Sequence, residues 1–155
     1  MASTESVGAA VGRGVVAGLA GTAVMTAFQK LVEMPITGRP ESYAPADFAE
    51  KVLPIPRTSG GARRVVNYTA HFGIGAMWGM AFGLAERSGL RGQRAVATVF
   101  AAVYTGDAIL NTALGLYKPW RWSPQDWVID VGEKLIQAEA TGFAYERLDA
   151  GASGR

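Results

Sequence analysis

Several ionisable or strongly polar side chains lie within stretches of the sequence that are otherwise apolar. A charge in the middle of a membrane-spanning helix costs about 2.5 to 3.5 kcal/mol on insertion scales, so such residues either pair with one another or serve an ion or proton pathway. Carboxylates, amines and an imidazole can exchange protons and can attract cations. The residues of this predicted intramembrane polar network are Lys30, His71, Asp107, Asn111, Asp130, Glu133 and Lys134.

Asp107 is the member of this set that most needs a partner. It lies near the middle of an apolar stretch, with Asn111 one helical turn away. A carboxylate that faces lipid has no water to ionise into, so it must be protonated or find a donor on another helix. We therefore expect Asp107 to face the protein interior and to contact Lys134, with Lys30 and His71 as alternative partners.

The same residues also have a purely structural explanation. Asp130 and Lys134 are one helical turn apart and can pair within their own helix. Lys30 is close enough to the end of its apolar stretch to extend its amine to the membrane surface. His71 fits a proton acceptor, a haem or metal ligand, or a histidine hydrogen-bonded at a helix crossing. With one histidine and no cysteine in the chain, we expect neither a metal site nor a cofactor.

Four apolar stretches are near the length of about 20 residues that a bilayer requires, although the mean hydropathy of the whole chain is only +0.13. We therefore predict an all-α fold, a bundle of four transmembrane helices that forms a single domain over residues 7–148. The predicted helices cover residues 7–34, 65–87, 93–117 and 124–148. The fourth is the least hydrophobic, and the alternative to a span is that it lies flat on the membrane surface. Residues 1–6 are expected to be a tail, and residues 149–155 a disordered tail.

The connection between the first two predicted helices, residues 35–64, is the longest and contains five prolines. Pro35 is expected to end the first helix, because proline lacks the N–H that a helix needs. Within this connection residues 46–53 are expected to form a short helix that lies on the membrane surface or over the mouth of the bundle. A loosely packed loop is the equally weighted alternative for this segment.

Small residues recur every fourth position in the first two predicted helices. This spacing places them on one helix face, where they let two backbones approach closely without help from the hydrophobic effect. We interpret these faces as helix-packing surfaces of the glycine-zipper type. The residues are Gly14, Gly18 and Thr22 in the first helix and Gly75, Gly79 and Gly83 in the second.

Aromatic and basic residues cluster between the third and fourth predicted helices. Indole and phenol rings favour the headgroup level of a bilayer, so this cluster predicts a membrane–water boundary. The predicted interface anchors are Tyr117, Trp120, Trp122 and Trp127.

The resemblance of the chain to a known family rests on three segments. These are residues 18–25, with the sequence GLAGTAVM, the triplet Ala70-His71-Phe72, and the closing helix from Trp127 to Glu146. Together they resemble the YagU-like family of small proteins of the bacterial inner membrane. The resemblance implies a multi-pass protein of that membrane and implies no particular activity, because the family has no established one. The first connection is shorter here than in that family.

The lipid bilayer is the expected partner of the chain, together with a second copy of the chain or a larger membrane complex. Net charge is +2 without a basic run, which argues against nucleic acid as a partner.

A structural or accessory role is the first functional hypothesis, and a small transporter or proton-conducting protein is the second. An enzyme comes third, because no nucleophile–base motif, phosphate loop or metal constellation is present in the sequence.

Three arginines lie in one short turn, at positions 87, 91 and 94. Because short loops rich in arginine stay in the cytoplasm, this turn predicts that both termini are cytoplasmic.

Overall fold

The computed structural model describes residues 6–153. Within this part of the chain every regular element is helical, which confirms the predicted all-α class. Two of the helices are joined by a one-turn 3-10 helix, Pro119–Arg121. The helices are α1 (Val7–Thr37), α2 (Ala44–Val52), α3 (Gly60–Arg87), α4 (Gln93–Ala113) and α5 (Pro124–Ser153).

Helix α1 continues past Pro35, so the prediction that this proline ends the helix was wrong. A π-helical turn, Gln29–Glu33, comes just before it, and the N–H of Met34 donates to the carbonyl of Gln29. The wider turn accommodates a proline ring that an ideal α-helix would exclude. The helix ends instead at Gly38, which adopts the left-handed conformation with φ 70°.

Helix α4 ends earlier than predicted, at Ala113 rather than at residue 117. Gly115 has φ 76°, and the N–H of Leu116 donates back to the carbonyl of Asn111 at 2.8 Å. This is the Schellman arrangement, in which a glycine reverses the chain and satisfies the last helical carbonyls. The prediction missed it because Gly115 was taken as part of the helix.

Further boundaries differ from the prediction. The short helix of the first connection covers Ala44–Val52 instead of residues 46–53. Helix α3 begins at Gly60 instead of residue 65. Helix α5 runs to Ser153, so the prediction of a disordered tail from residue 149 was wrong for residues 149–153. Residues 154–155 of that tail, and residues 1–5 of the predicted N-terminal tail, lie outside the described part.

Helices α1 and α3 pack in antiparallel fashion with almost no side chains between them. A Cβ atom added to Gly14 would collide with the backbone of Gly79, and one added to Gly18 would collide with Gly75 and Gly79. Because these contacts are backbone to backbone, only glycine is compatible with the observed helix separation. The six residues predicted as helix-packing positions therefore lie at this interface, with Gly83 against Ala10 and Thr22 against Gly75.

Helix α5 packs on the other side of α1, and α4 covers α3 and α5. Gly21 of α1 leaves room for the backbone and side chain of Thr141 in α5. The apolar core of the described residues centres on Trp78 and Phe82 of α3, which pack with Val96 and Tyr145.

Polar residues of the long helices are buried, whereas many large apolar residues face outward. Thr22, Asn111, Gln137 and Thr141 are each less than 5% exposed. Large apolar side chains that point outward include Leu31, Val65, Ile109, Val128 and Phe143, all more than 60% exposed. Exposed apolar surface of this extent is typical of a face that contacts a membrane or another protein.

By length and composition, two helices within residues 6–153 are apolar enough to cross a membrane, namely Val7–Thr37 and Gln93–Ala113. Helices α3 and α5 do not meet the same measure, because both carry many polar residues. The prediction of four spans is thus not confirmed, because this measure admits only two of the described helices.

Candidate functional site

A cavity of about 130 Å³ lies between the four long helices, toward the end of the bundle that α2 covers. Its wall contains six of the seven residues predicted to form the polar network. They come from three helices, α3, α4 and α5, and are His71, Asp107, Asn111, Asp130, Glu133 and Lys134.

Lys134 occupies the centre of this group. Its Nζ atom donates to Oδ1 of Asp130 at 3.0 Å and lies 3.8 Å from Oδ2 of Asp107. The rings of Tyr104 and Tyr117 are 5.5 and 5.9 Å from the same nitrogen. The ammonium group is thus held between carboxylates of α4 and α5, and the expected contact of Asp107 with Lys134 is present.

The two carboxylates around Lys134 differ in how fully they are hydrogen-bonded. Asp130 accepts from Lys134 and, through Oδ2, from the hydroxyl of Tyr104 at 2.7 Å. Asp107 accepts through Oδ1 from the amide of Asn111 at 2.9 Å. Its Oδ2 atom is buried and has no hydrogen-bond partner within the described residues. Asp107 is therefore the more loosely held carboxylate.

Glu133 presents a second incompletely bonded carboxylate. Its Oε2 atom accepts a long hydrogen bond of 3.4 Å from Nε2 of Gln29 in α1. Its Oε1 atom is buried without a hydrogen-bond partner in the described part of the chain. An unpaired buried oxygen of an ionised carboxylate is unfavourable, so this position favours a proton or a bound cation.

His71 joins α3 to α1 through Thr26, whose hydroxyl oxygen lies 3.0 Å from Nε2. The hydroxyl of Thr26 has a single proton and also lies 2.8 Å from the carbonyl of Thr22. A Thr26 hydroxyl that donates to Thr22 accepts from a protonated Nε2, whereas one that donates to Nε2 leaves the carbonyl of Thr22 without this bond.

Metal ligation is not suggested by the arrangement of these side chains. Over residues 6–153, no three His, Cys, Asp or Glu side chains are grouped closely enough to hold a metal ion.

Lys30, the seventh predicted member, does not lie on the cavity wall. Its amine contacts Glu41 at 3.3 Å and lies 4.8 Å from the ring centre of Tyr68. The hydroxyl of Tyr68 also donates to Glu41. This hydrogen bond, followed by the contact with Lys30, lowers the pKa of the Glu41 carboxyl. The prediction grouped Lys30 with Asp107, but its amine instead pairs with Glu41 in the segment that covers the cavity.

Residues 39–59, including α2, form this cover and are called the roof below. Two glycines with positive φ bound it, Gly38 at 70° and Gly60 at 54°. The roof residues that line the cavity are Glu41, Ser42, Ala44, Pro45 and Phe48. Of the two predicted positions for the short helix, the structure shows the one over the mouth of the bundle.

The roof is held to α3 mainly by polar contacts. The side chain of Asn67 accepts from the N–H of Ala46 at 3.1 Å and donates to the carbonyl of Ser42 at 3.0 Å. Arg63 forms ion pairs with Asp47 and Glu50, at 2.5 and 3.0 Å. Such contacts can be broken and remade more easily than a packed apolar core.

The predicted interface anchors fall into two groups. Trp120 is 72% exposed, as an anchor should be. Trp122 lies between Tyr117 and Trp127, with ring centres 5.5 and 4.8 Å away. Tyr117 was predicted as an anchor only, but it also lines the cavity near Lys134.

Sequence reasoning missed several residues of the site. Tyr104 lies three positions before Asp107, and this helical spacing would have placed both on one face of α4. Thr26 was not predicted as a partner of His71. Asn67 carried no signal, because its role depends on where the roof folds back.

Comparison with protein families, curated proteins and solved structures found no match to this chain. The resemblance to the YagU-like family therefore stays a prediction. Function has to be argued from the cavity and from the surface of the bundle.

Proposed function

We propose that the chain is an integral membrane protein in which α1, α3, α4 and α5 all cross the bilayer. The apolar windows of α1 and α4 are only 28% and 22% buried within the protein. The core helix of a soluble protein would be mostly buried. These faces are apolar and outward-facing, as contact with lipid requires.

Helices α3 and α5 are included because of where their polar residues point. With 28 and 30 residues they are about 42 and 45 Å long, which exceeds the hydrocarbon core of about 30 Å. His71, Asp130 and Lys134 line the cavity, whereas Met77 and Leu135 face outward. The low mean hydropathy of these helices comes from the polar face that points to the interior. Their opposite face is apolar and suits contact with lipid.

The inner membrane of a bacterium is the proposed location, as the YagU-like resemblance implies. An even number of spans places both termini on one side. The arginines of the α3–α4 turn, Arg87, Arg91 and Arg94, favour the cytoplasmic side.

We further propose that the cavity serves the passage of protons or of a small solute. The observation that carries this proposal is a charged cavity of about 130 Å³ inside a bundle with an apolar exterior. Helix packing alone does not need such a space, and its ionisable lining is costly at membrane depth. Polar cavities between helices are the usual position of transport sites.

Flux measurement in liposomes tests this proposal. Liposomes that contain the full chain and a pH-sensitive dye should dissipate an imposed pH gradient faster than empty ones. Asp107→Asn should retain the fold, because the amide has the same shape, and should abolish the added flux. Asp149→Asn, at the opposite end of the bundle beside Arg13, is the matched control. Wild-type liposomes that leak no faster than empty ones, to protons or to small solutes, would contradict the proposal.

A structural or accessory role is the second candidate, as a homo-oligomer or as a subunit of a larger membrane complex. The backbone contacts of Gly14 and Gly18 with α3 favour it, because residues with such contacts serve to pack two helices closely. In that role Asp107 and Lys134 only fix the register of α4 and α5. Asp107→Asn would then lower stability slightly and change no flux.

A further inference from the structure

The cavity carries more negative than positive charge. Asp107, Asp130 and Glu133 of the bundle contribute carboxylates, as does Glu41 of the roof, which is paired with Lys30. Lys134 contributes an ammonium group. Asp130 is hydrogen-bonded to both Lys134 and Tyr104. One ammonium group is thus shared by Asp130 and, more loosely, Asp107, and no ion pair of Glu133 is found among the described residues. Asp107 and Glu133 each have one buried oxygen without a hydrogen-bond partner in the same part of the chain.

Aromatic rings form another part of the wall. They come from the roof, from α3 and from the segment after α4, and are Phe48, Tyr68, Trp78 and Tyr117. Carboxylates combined with aromatic faces stabilise organic ammonium groups through ion pairing and cation–π contact. The protein binds its own amines in this way, with Lys134 beside two tyrosine rings and Lys30 over Tyr68.

The cavity fits an organic cation better than a metal ion, because of its size and the arrangement of its polar groups. A metal ion needs several ligands that converge on one point, and no such group occurs within residues 6–153. The cavity of about 130 Å³ is instead close in size to a cavity of about 150 Å³ that holds benzene. It thus accommodates a ligand of about six non-hydrogen atoms.

We propose that the cavity binds a small primary amine in its ammonium form, with the charge between Glu133 and Asp107 and the hydrocarbon part against Phe48 and Trp78. The looser contact of Lys134 with Asp107, at 3.8 Å, allows Asp107 to turn to the ligand while Lys134 keeps Asp130. This proposal rests on the proposed transport function and names its substrate class.

Ligand-dependent thermal unfolding of the full chain in lipid nanodiscs tests it, with butylammonium chloride as the probe at constant pH and ionic strength. A ligand that binds only the folded state raises the unfolding midpoint in a saturable manner. We expect a saturable rise with butylammonium and none with sodium, potassium or butyrate. An equal rise with sodium or potassium would overturn the proposal, as would no rise with butylammonium.

Substitution of Glu133 locates the site. Glu133→Gln should weaken butylammonium binding at least tenfold, whereas Glu139→Gln should leave it unchanged, because Glu139 is exposed on the same helix and bonded to Gln93. Equal binding by wild type and Glu133→Gln would overturn the assignment. If Glu133→Gln does not fold, Glu133→Asp keeps the charge and should bind with an affinity shifted less than tenfold. Its complete loss of binding in a folded protein would also contradict the assignment.

The two proposals fail in different ways. Proton flux without amine binding would overturn the substrate class and leave the transport function standing. Saturable amine binding by a protein that moves neither protons nor amines across liposomes would overturn transport and leave the binding site standing.

Discussion

Among the described residues that line the cavity, Lys134 is the only lysine or arginine, and it compensates carboxylates from two helices. Lys134→Met keeps the volume of the side chain but leaves Asp107 and Asp130 without their cation. Removal of one partner of a buried ion pair typically costs about 3 to 5 kcal/mol. We expect a decrease in the free energy of unfolding of that order at neutral pH, measured by reversible unfolding in mixed micelles.

A second substitution should reverse part of this loss. Lys134→Met combined with Asp130→Asn removes the charge together with its nearest counter-charge, so the double variant should be more stable than Lys134→Met alone. Lys118→Met, outside the cavity, is the control and should change little. A Lys134→Met variant as stable as wild type would show that the carboxylates do not need the lysine.

At the scale of residues, the polar network could be predicted because charge inside an apolar stretch is rare and must be accommodated. Helical spacing then placed Asp107 and Asn111 on one face, and Asp130 and Lys134 on another. The partners Thr26 and Tyr104 could not be assigned, because hydroxyl groups carry no such constraint and bond to whatever the fold brings near.

At the scale of elements, the contact between α1 and α3 depends on glycine. Gly79→Leu should separate the two helices, because even a Cβ atom at this position would overlap the backbone of Gly14 and Gly18. Leu84→Ala should have a small effect, since Leu84 is 47% exposed. The measurement is the unfolding midpoint in detergent. Similar midpoints for the two variants would show that the helices do not pack as described.

The roof should loosen in acid. Hydrogen bonds from Thr58, reinforced by Arg63, lower the pKa of the Glu50 carboxyl from its ordinary value of 4.5. A lowered pKa means that ionised Glu50 stabilises the closed roof above the ordinary value, and that this contribution is lost as the pH falls through the lowered one. The pKa of Glu41 is shifted in the same direction, so both contacts weaken together.

Spin labels can follow this opening, because the chain has no native cysteine. Labels at Lys51→Cys on α2 and Lys118→Cys beyond α4 should give a narrow distance distribution at neutral pH and a broad one below the lowered pKa. Glu50→Gln should broaden the distribution already at neutral pH. A distribution that does not change with pH in either protein would contradict the predicted role of Glu50.

Element types and order could be predicted from apolar stretch length and from the prolines of the first connection. The helix boundaries that were predicted wrongly are set by two kinds of interaction. The π-helical turn before Pro35, the Schellman turn at Gly115 and the extension of α5 all depend on local hydrogen bonding and tertiary packing. Apolar periodicity does not report on either.

At the scale of the whole molecule, a bundle with four membrane-crossing helices and one with two expose different residues on each side of the membrane. If α5 crosses the bilayer, Ala152→Cys and Lys118→Cys should react with a membrane-impermeant maleimide from opposite sides of sealed vesicles. A reporter fused after Arg155 should be active in the cytoplasm if the arginine-rich turn sets the orientation. Reaction of both cysteines from the same side would rule out α5 as a span.

The position of the cavity along the bundle has an electrical consequence. At one end it lies under the roof, and toward the other end α1 and α3 are in backbone contact through Gly14 and Gly79. A cation that enters from the roof side therefore crosses part of the membrane before it binds, and it crosses part of the transmembrane voltage too. One elementary charge that crosses half of 100 mV changes energy by about 1.2 kcal/mol, or about sevenfold in occupancy. An energised membrane would thus load or empty this site, and the polarity that loads it identifies the compartment that the roof faces.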